Sequence, residues 1–479
     1  MSNEITSNII EKRTELKNLI QELQNKNPEF YLEILYINNK ELQLVKGNET
    51  IESTTNKDEG IKVRIFDEST FHEIALSGYN LKKLKKETIG LMNKLIRIKK
   101  SSSIYKTNKT NEKIKLTIDK ECHDLHFKAH GKINPKTITI KEKLNLINDL
   151  HKKLGQPKKL LSTKVRYTEV NEQKIFVNKY KLLSQDISLC QVSIISFVKS
   201  IFGDVRYSYN SYCDHGYEVT RITDSEIKKI ISFAEKIKKA KKIKPGKYLC
   251  LLTPNMSGLL AHESFGHGME ADTLFKGRAK AINFLGKRLA KKEVSIADGP
   301  LIKGKHGFYF FDDEGTLATK TYMLKEGIVN NPIGDNYNTS RLKIPRTSNA
   351  RCESFDHKIY SRMTNTYFEP GKAKKKDMLS SIKEGLYLHN SGGGMEDPKG
   401  WGIQIQGIVA EKIKNGKLTG ELFYEAGLTG YLPTVLKNIK SVSKEFKIPG
   451  VGFCGKGHKE WVRVSEGGPY LLIKNLHLS

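Results

Sequence analysis

The chain has 479 residues, 38% of them hydrophobic and 9% aromatic, with 82 Lys+Arg against 53 Asp+Glu and a formal net charge of +29. That length holds two or three ordinary domains with their own cores, and the composition is that of folded domains on the lean side, with a heavily charged exterior. The lysines recur in nearly every block of ten instead of gathering in one arm, so the basic bias reads as a solvated exterior and not as a nucleic-acid patch. The opening segment carries Ile5, Ile9, Leu16, Leu19, Ile20 and Leu23 at helical spacing, predicting an amphipathic helix over 4–25. Short strands are expected at 30–36, 41–45, 61–66 and 71–75, separated by Asn-Lys, Gly-Asn and Asp-Glu-Gly turns. A helix follows over 81–98, then a polar, unpatterned loop over 101–113. Helix returns at 139–154, and β-rich sequence runs from 164 to about 209. A helix over 224–241, with Thr223 as its cap, closes this half.

Beyond the Pro245-Gly246 turn a buried strand is expected at 247–253, and the character of the chain changes. Glycine turns accumulate, with strands at 295–297, 307–311, 320–324, 401–412 and 418–424. Helices are expected at 276–292, 373–384 and 432–443. Closely spaced strands with few helices suggest a sheet curled into a barrel or sandwich. The fold class is therefore α+β. An N-terminal α+β domain (1–220) precedes a C-terminal domain (221–479), the boundary lying between 215 and 245.

Six cysteines (Cys122, Cys190, Cys213, Cys250, Cys352, Cys454) have no paired spacing, which argues for a reducing compartment. The first residues lack the positive flank and apolar run of a signal peptide, and no stretch approaches the roughly 18 apolar residues of a membrane span. A cytoplasmic protein without a membrane partner is expected.

The chemistry concentrates in His262-Glu263-Ser264-Phe265-Gly266-His267. A zinc hydrolase needs two or three ligands around an open coordination position, and a carboxylate beside the activated water. Common zinc peptidases place their histidines four apart on one helix face. Here they are five apart, about 140° around an ideal helix at roughly 100° per residue. Both imidazoles reach one ion only if the segment widens, as in a π-bulge, or breaks, and Gly266 tolerates either. On spacing alone two readings stand: a metal site, or two unrelated histidines beside a surface glutamate.

The surrounding sequence resembles the TldD/TldE (PmbA) family of metallopeptidases, on its zinc-bearing TldD side. The resemblance begins at Leu259-Leu260-Ala261-His262-Glu263-Ser264-Phe265-Gly266-His267-Gly268-Met269-Glu270-Ala271-Asp272, similar to the family's His-Glu-Ala-x-Gly-His-Gly-x-Glu-x-Asp. It continues through Asp312-Asp313-Glu314-Gly315-Thr316, Arg362-Met363-Thr364-Asn365-Thr366-Tyr367, and Gly392-Gly393-Gly394 with Asp397-Pro398. It ends at Cys454-Gly455-Lys456, and matches more loosely at Gly60-Ile61-Lys62-Val63-Arg64. The resemblance implies Zn2+ held by His262, His267 and Cys454, with Glu263 as the catalytic base. It also implies a peptidase acting on short or unfolded peptides taken up as extended strands, in a homodimer or a heterodimer with a zinc-lacking paralogue. Glu270 and Asp272 either orient the imidazoles or cap a local turn, and Asp312, Asp313 and Glu314 read as a turn. One departure stands out: where the family continues to an acidic residue, Gly and Gln, this chain has Gly457-His458-Lys459. The alternatives are a non-catalytic peptide-binding subunit, disfavoured by the intact His-Glu-x-x-x-His, and a basic nucleic-acid-binding protein, which calls for clustered basic and aromatic residues that the chain lacks.

Overall fold

The computed structural model describes residues 2–104, 113–155, 159–389, 392–457 and 459–479. The N-terminal half is one sheet with helices on one face. Helix α1 (Ser2–Lys26) buries Ile9, Leu16, Leu19, Ile20 and Leu23, the stripe that the spacing predicts. Strands β1 (Tyr31–Lys46), β2 (Ile51–Phe66) and β3 (Phe71–Ser77) follow, then α2 (Leu81–Ile104), β4 (His123–Ala129), α3 (Ile140–Gly155), β5 (Ser162–Asn178), β6 (Lys181–Lys199), β7 (Val205–Asp214) and α4 (Asp224–Ile237). The expected loop at 101–113 is helical through Ile104, and 105–112 lie outside the described residues. Thr223 caps α4 in a reciprocal capping box with Glu226.

The strands expected at 30–36 and 41–45 are a single strand. Asn39 and Lys40 pair with Asp58 and Lys57, so two of the predicted turns face each other inside one long hairpin, and only Gly47 turns, its N–H reaching Thr50 O. Pairing to β5 across the same residues overrides local turn chemistry, because every backbone group there already has a ladder partner. The sheet order is β3-β2-β1-β5-β6-β4. The second edge of β6 is shared by β4 over Lys181–Ile187 and β7 over Cys190–Lys199.

Alternation decides what covers each face. Ile34, Tyr36, Ile175 and Val177 point to α1 and α2, and Val165, Tyr167, Val192 and Ile194 to α3 and α4. Their neighbours Leu35, Ile37, Val170, Phe176, Leu183, Ile187 and Leu189 meet the second half of the chain through Phe308, Tyr309, Phe311, Ala350, Cys352 and Phe355. The expected strand at 307–311 is thus an irregular extended run whose aromatics pack on the first sheet.

The second half is built from β8 (Gly246–Leu252), α5 (Pro254–Ala261), α6 (Ala271–Phe275), β9 (Ile296–Asp298), β10 (Thr321–Lys325), β11 (Ile328–Val329), α7 (Asn336–Leu342), β12 (Ala350–Arg351), β13 (Tyr360–Ser361), β14 (Asn365–Phe368), α8 (Lys375–Ser380), β15 (Glu384–Leu388), β16 (Gly393–Asp397), β17 (Gly402–Lys414), β18 (Lys417–Tyr431), α9 (Leu432–Lys437), β19 (Ile439–Lys447), β20 (Gly452–Lys456) and β21 (Lys459–Leu478). The order β11-β10-β9-β14-β21-β18-β17-β15-β8 returns on itself, because β8 also pairs with β21. The sheet is therefore curled into a barrel, mostly antiparallel, with parallel pairs at β15–β8 and β14–β21. The helix expected over 276–292 is absent. Gly277 and Gly286 have φ of 65° and 75°, and Leu289 and Ala290 instead bond Gly327 O, leaving only a short 3₁₀ turn at Lys280–Phe284. Residues 439–443, expected as helix, begin β19. No described helix is long and apolar enough to cross a membrane.

A buried charge cluster joins the halves. Arg64, 4% exposed, meets Glu33, Glu73 (3.0 Å) and, from the second half, Glu314 (2.7 Å). Burial pushes Glu33 up to about 7 even with Arg64 opposing it. Arg64→Met would leave Glu33 and Glu314 buried without their cation, so a loss of about 3–5 kcal/mol is expected. Urea denaturation measures it, and a loss below about 1 kcal/mol would show that the cluster does not hold the halves together.

Candidate metal centre

Strand β8 feeds directly into α5, with Pro254 at its first turn. Every α5 residue except Asn255 is buried, so this short helix is held by packing and not by propensity. Gly258 lets its backbone lie against β21: a Cβ there would stand 2.1 Å from Gly467 N. The helix then widens. His262–Gly266 is a π-turn, and His267–Met269 a 3₁₀ turn. Hydrogen bonds from i to i+5 bring residues five apart onto one face, which the His262/His267 spacing demands. Gly266 is needed for space and not for backbone freedom. Its φ is −59°, but a Cβ would stand 2.0 Å from Met363 Sδ.

The π-turn brings the imidazoles of His262 and His267 to 5.2 Å between ring centroids, mutually perpendicular. Cys454 on β20 arrives from 187 residues away, its Sγ 3.4 Å from His267 Nε2. One donor atom from each of the three lies within 4.8 Å of the others, and all are buried or nearly so. Zinc bonds of about 2.0–2.3 Å in a tetrahedron put donors roughly 3.3–3.7 Å apart, so the cluster is of the right size. Two further observations fit a metal. His262 Nδ1 is buried with no hydrogen-bond partner. Burial would raise the Cys454 thiol, yet the two imidazoles hold it well below its usual range, in the thiolate form that ligates zinc. The thiolate in turn lifts His262 to about 9 and His267 well above the ordinary imidazole, against burial.

Glu270 accepts from the far side of the His267 ring, Nδ1 to Oε2 at 3.5 Å, and so orients it. Asp272 touches neither imidazole. It acts through Lys456, whose ammonium bonds Asp272 (2.6 Å), Glu270 (2.9 Å) and Ser361 O (3.1 Å). Burial alone would raise Glu270, but Lys456, His267 and Arg362 hold it far below the carboxylate range. Arg362, fully buried, donates to Cys454 O at 2.5 Å and to Glu460 O, fixing the hairpin that presents the thiolate. Glu263 lies against Gly394 on β16, and burial raises its carboxyl against the pull of His262 and His267. Asp312, Asp313 and Glu314 form a buried turn. Asp312 accepts from the N–H groups of Glu314, Thr316 and Ala350, Asp313 pairs with Lys174, and Glu314 with Arg64. His458 lies outside the described residues. Sequence reasoning missed Arg362, Met363 and Lys456 as supports, though they sit in the quoted motifs, because a support is recognised only by what it touches. It also missed Glu396 and Glu466, which face the site from β16 and β21. All six cysteines are free.

The pattern of the PmbA/TldA metallopeptidase C-terminal domain matches residues 245–479. A metalloprotease of Methanocaldococcus jannaschii is 30% identical over 382 residues, 79% of this chain and 82% of that protein. The chain belongs to the TldD/PmbA family. Another relative, named a zinc metalloprotease TldD homolog, from Saccharolobus solfataricus, is 28% identical over 345 residues, covering 69% and 75% of the two chains. The crystal structure of TldE from Thermococcus kodakarensis shares the fold, with a TM-score of 0.75 at 14% identity over 97% of this chain and 99% of that one. Within this TldD/PmbA chain, the contact between Gly266 and Met363 is testable. Gly266→Ala should cost about 1–3 kcal/mol of stability by overpacking, and should weaken Zn2+ binding. In a Met363→Ala background the added methyl should cost less. Equal costs in both backgrounds, measured by urea denaturation and zinc titration, would remove Met363 as the constraint.

Proposed function

We propose that this chain is a zinc-dependent peptidase that hydrolyses short or unfolded peptides, with His262, His267 and Cys454 holding the metal and Glu263 as general base. The reading is carried by one observation: the π-turn and β20 bring two imidazoles and a thiolate within 4.8 Å, with a carboxylate adjacent in sequence to the first ligand. Bound zinc supplies a Lewis acid that activates water and polarises a carbonyl. The rest is done by the chain. Glu263 accepts a proton at a carboxylate oxygen from the attacking water and returns it to the leaving amine nitrogen. Glu270 keeps His267 in register through Nδ1, and Arg362 and Lys456 hold the elements that carry the ligands. The partners extend this reading: a peptide or unfolded segment as substrate, and a dimer with a second copy or a zinc-lacking paralogue. A specific nucleic acid is not among them, because the lysines are dispersed.

Glu263→Gln keeps the size of the side chain and removes the base. Peptide hydrolysis should fall by about 10²–10⁴-fold, with zinc content and peptide affinity near those of the parent protein. Undiminished cleavage would remove Glu263 from the mechanism. Failure of the parent protein to cleave any unfolded peptide, with zinc and peptide both bound, favours the non-catalytic subunit. Separately, the purified protein should hold close to one zinc per chain, and His262→Ala should lose most of it. Full occupancy by metal analysis in that variant would overturn the ligand set.

A further inference from the structure

Strand β16 runs past the metal centre with one face turned to it. A Cβ at Gly394 would stand 2.6 Å from Glu263 Cγ, so this position abuts the proposed base. Two residues on, Glu396 shares that face, because strand side chains alternate. Met395 between them points away and is 64% exposed. Glu396 Oε2 lies 3.9 Å from where a Cβ of Gly268 would stand, next to His267, and its Oε1 is buried without a hydrogen-bond partner. Burial, helped by the neighbouring Glu270 and Glu263 and opposed by His267, pushes this carboxyl up to about 8, so it is largely uncharged in the empty site and ionises when a cation enters. Glu466 on β21 is more distant: its carboxyl lies against Gly450, where a Cβ would stand 2.4 Å from its Cδ, and burial raises it against the pull of His262.

The nearby cations are already committed. Lys456 is shared by Glu270 and Asp272, and Arg362 is taken up by two carbonyls beside Glu270. Among the described residues no lysine or arginine pairs with Glu263, Glu396 or Glu466, and the imidazoles of His262 and His267, which oppose the effect of burial on them, are neutral as zinc ligands. Charge counting then points outward. Two neutral imidazoles and one thiolate leave a divalent zinc one positive charge, which Glu263 balances. Glu396 and Glu466 remain, at a face whose strand pairs only with β17 among the described residues. The surface lysines act oppositely at long range, but they are dispersed and screened beyond about 8 Å at physiological salt. Groups in contact with the substrate therefore decide.

We propose that the site selects peptides carrying a positive charge beside the cleaved bond, from a lysine or arginine side chain or a free amino terminus, and that Glu396 receives it with Glu466 in support. The proposal rests on the peptidase reading for its substrate class, and its test uses binding so that the two can fail separately.

The probes are labelled unstructured peptides of about ten residues, identical except for one central Lys, Gln or Glu, each with a free or an acetylated amino terminus. Their affinities for the zinc-loaded Glu263→Gln protein are read by fluorescence anisotropy. A lysyl peptide should bind about tenfold or more tighter than its glutaminyl twin, as expected for a charged hydrogen bond in a partly buried site, and the glutamyl peptide weakest. Preference for lysine in the acetylated series assigns the charge to a side chain, and preference that follows only the free amine assigns it to the terminus. Adding Glu396→Gln should bring the lysyl-to-glutaminyl ratio toward one, and Glu396→Lys should favour the glutamyl peptide, with zinc content checking that each variant is folded. Equal affinities across the acetylated and free series, or a preference that survives Glu396→Gln, overturns the proposal. If a substitution abolishes zinc binding, the ratios on the Glu263→Gln protein decide alone. Cleavage without charge preference defeats this inference and leaves the peptidase standing. Charge preference without cleavage does the reverse.

Discussion

Two imidazoles five residues apart converge only where the helix that carries them is widened by one residue, and much of the site's surroundings serves that widening. A π-turn is not favoured by the sequence of His262–Gly266 in isolation. It is held from outside: α5 enters buried at every residue but Asn255, its backbone pressed onto β21 at Gly258, and the exit is filled by Met363 against Gly266. The same β21 pairs with β20, which carries Cys454, and with β14, which follows Met363 and Thr364. One strand thus braces both the helix that leads into the histidine turn and the strand that carries the thiolate.

Electrostatics does the finer placement. Lys456 ties Glu270 and Asp272 to Ser361 O, and Arg362 lies between Glu270 and the carbonyls of Cys454 and Glu460. Each would be costly if left unpaired in so buried a place. Together they make the orientation of His267 and the position of the thiolate parts of one network. On the opposite side Glu263, Glu396 and Glu466 have no lysine or arginine partner among the described residues, and that asymmetry is what a charged substrate can read.

The N-terminal sheet is more than an appendage. It is buried on both faces, by its own helices and by the irregular run that also carries the Asp312–Glu314 turn. The Arg64 cluster crosses the same interface. The matched C-terminal segment therefore depends on the first half to cover Phe308, Phe311 and Cys352.

The amphipathic helices, the cap at Thr223, the α+β class and the odd histidine spacing with its demand for a widened turn were all legible in the chain itself. Each rests on interactions between residues a few positions apart. The same local reasoning placed a helix across 276–292, where two left-handed glycines and bonds to Gly327 forbid one, and cut β1 and β2 at polar pairs that the ladder carries straight through. That Cys454 joins the two histidines was implied by the family resemblance; only the tertiary structure decided how it reaches His267, that Lys456 and Arg362 hold them, and that Glu396 faces the same space. Cys454 and His267 alone are 187 residues apart, and the encounter of these groups depends on the closure of a barrel through β8 and β21, for which no local spacing carries a signal.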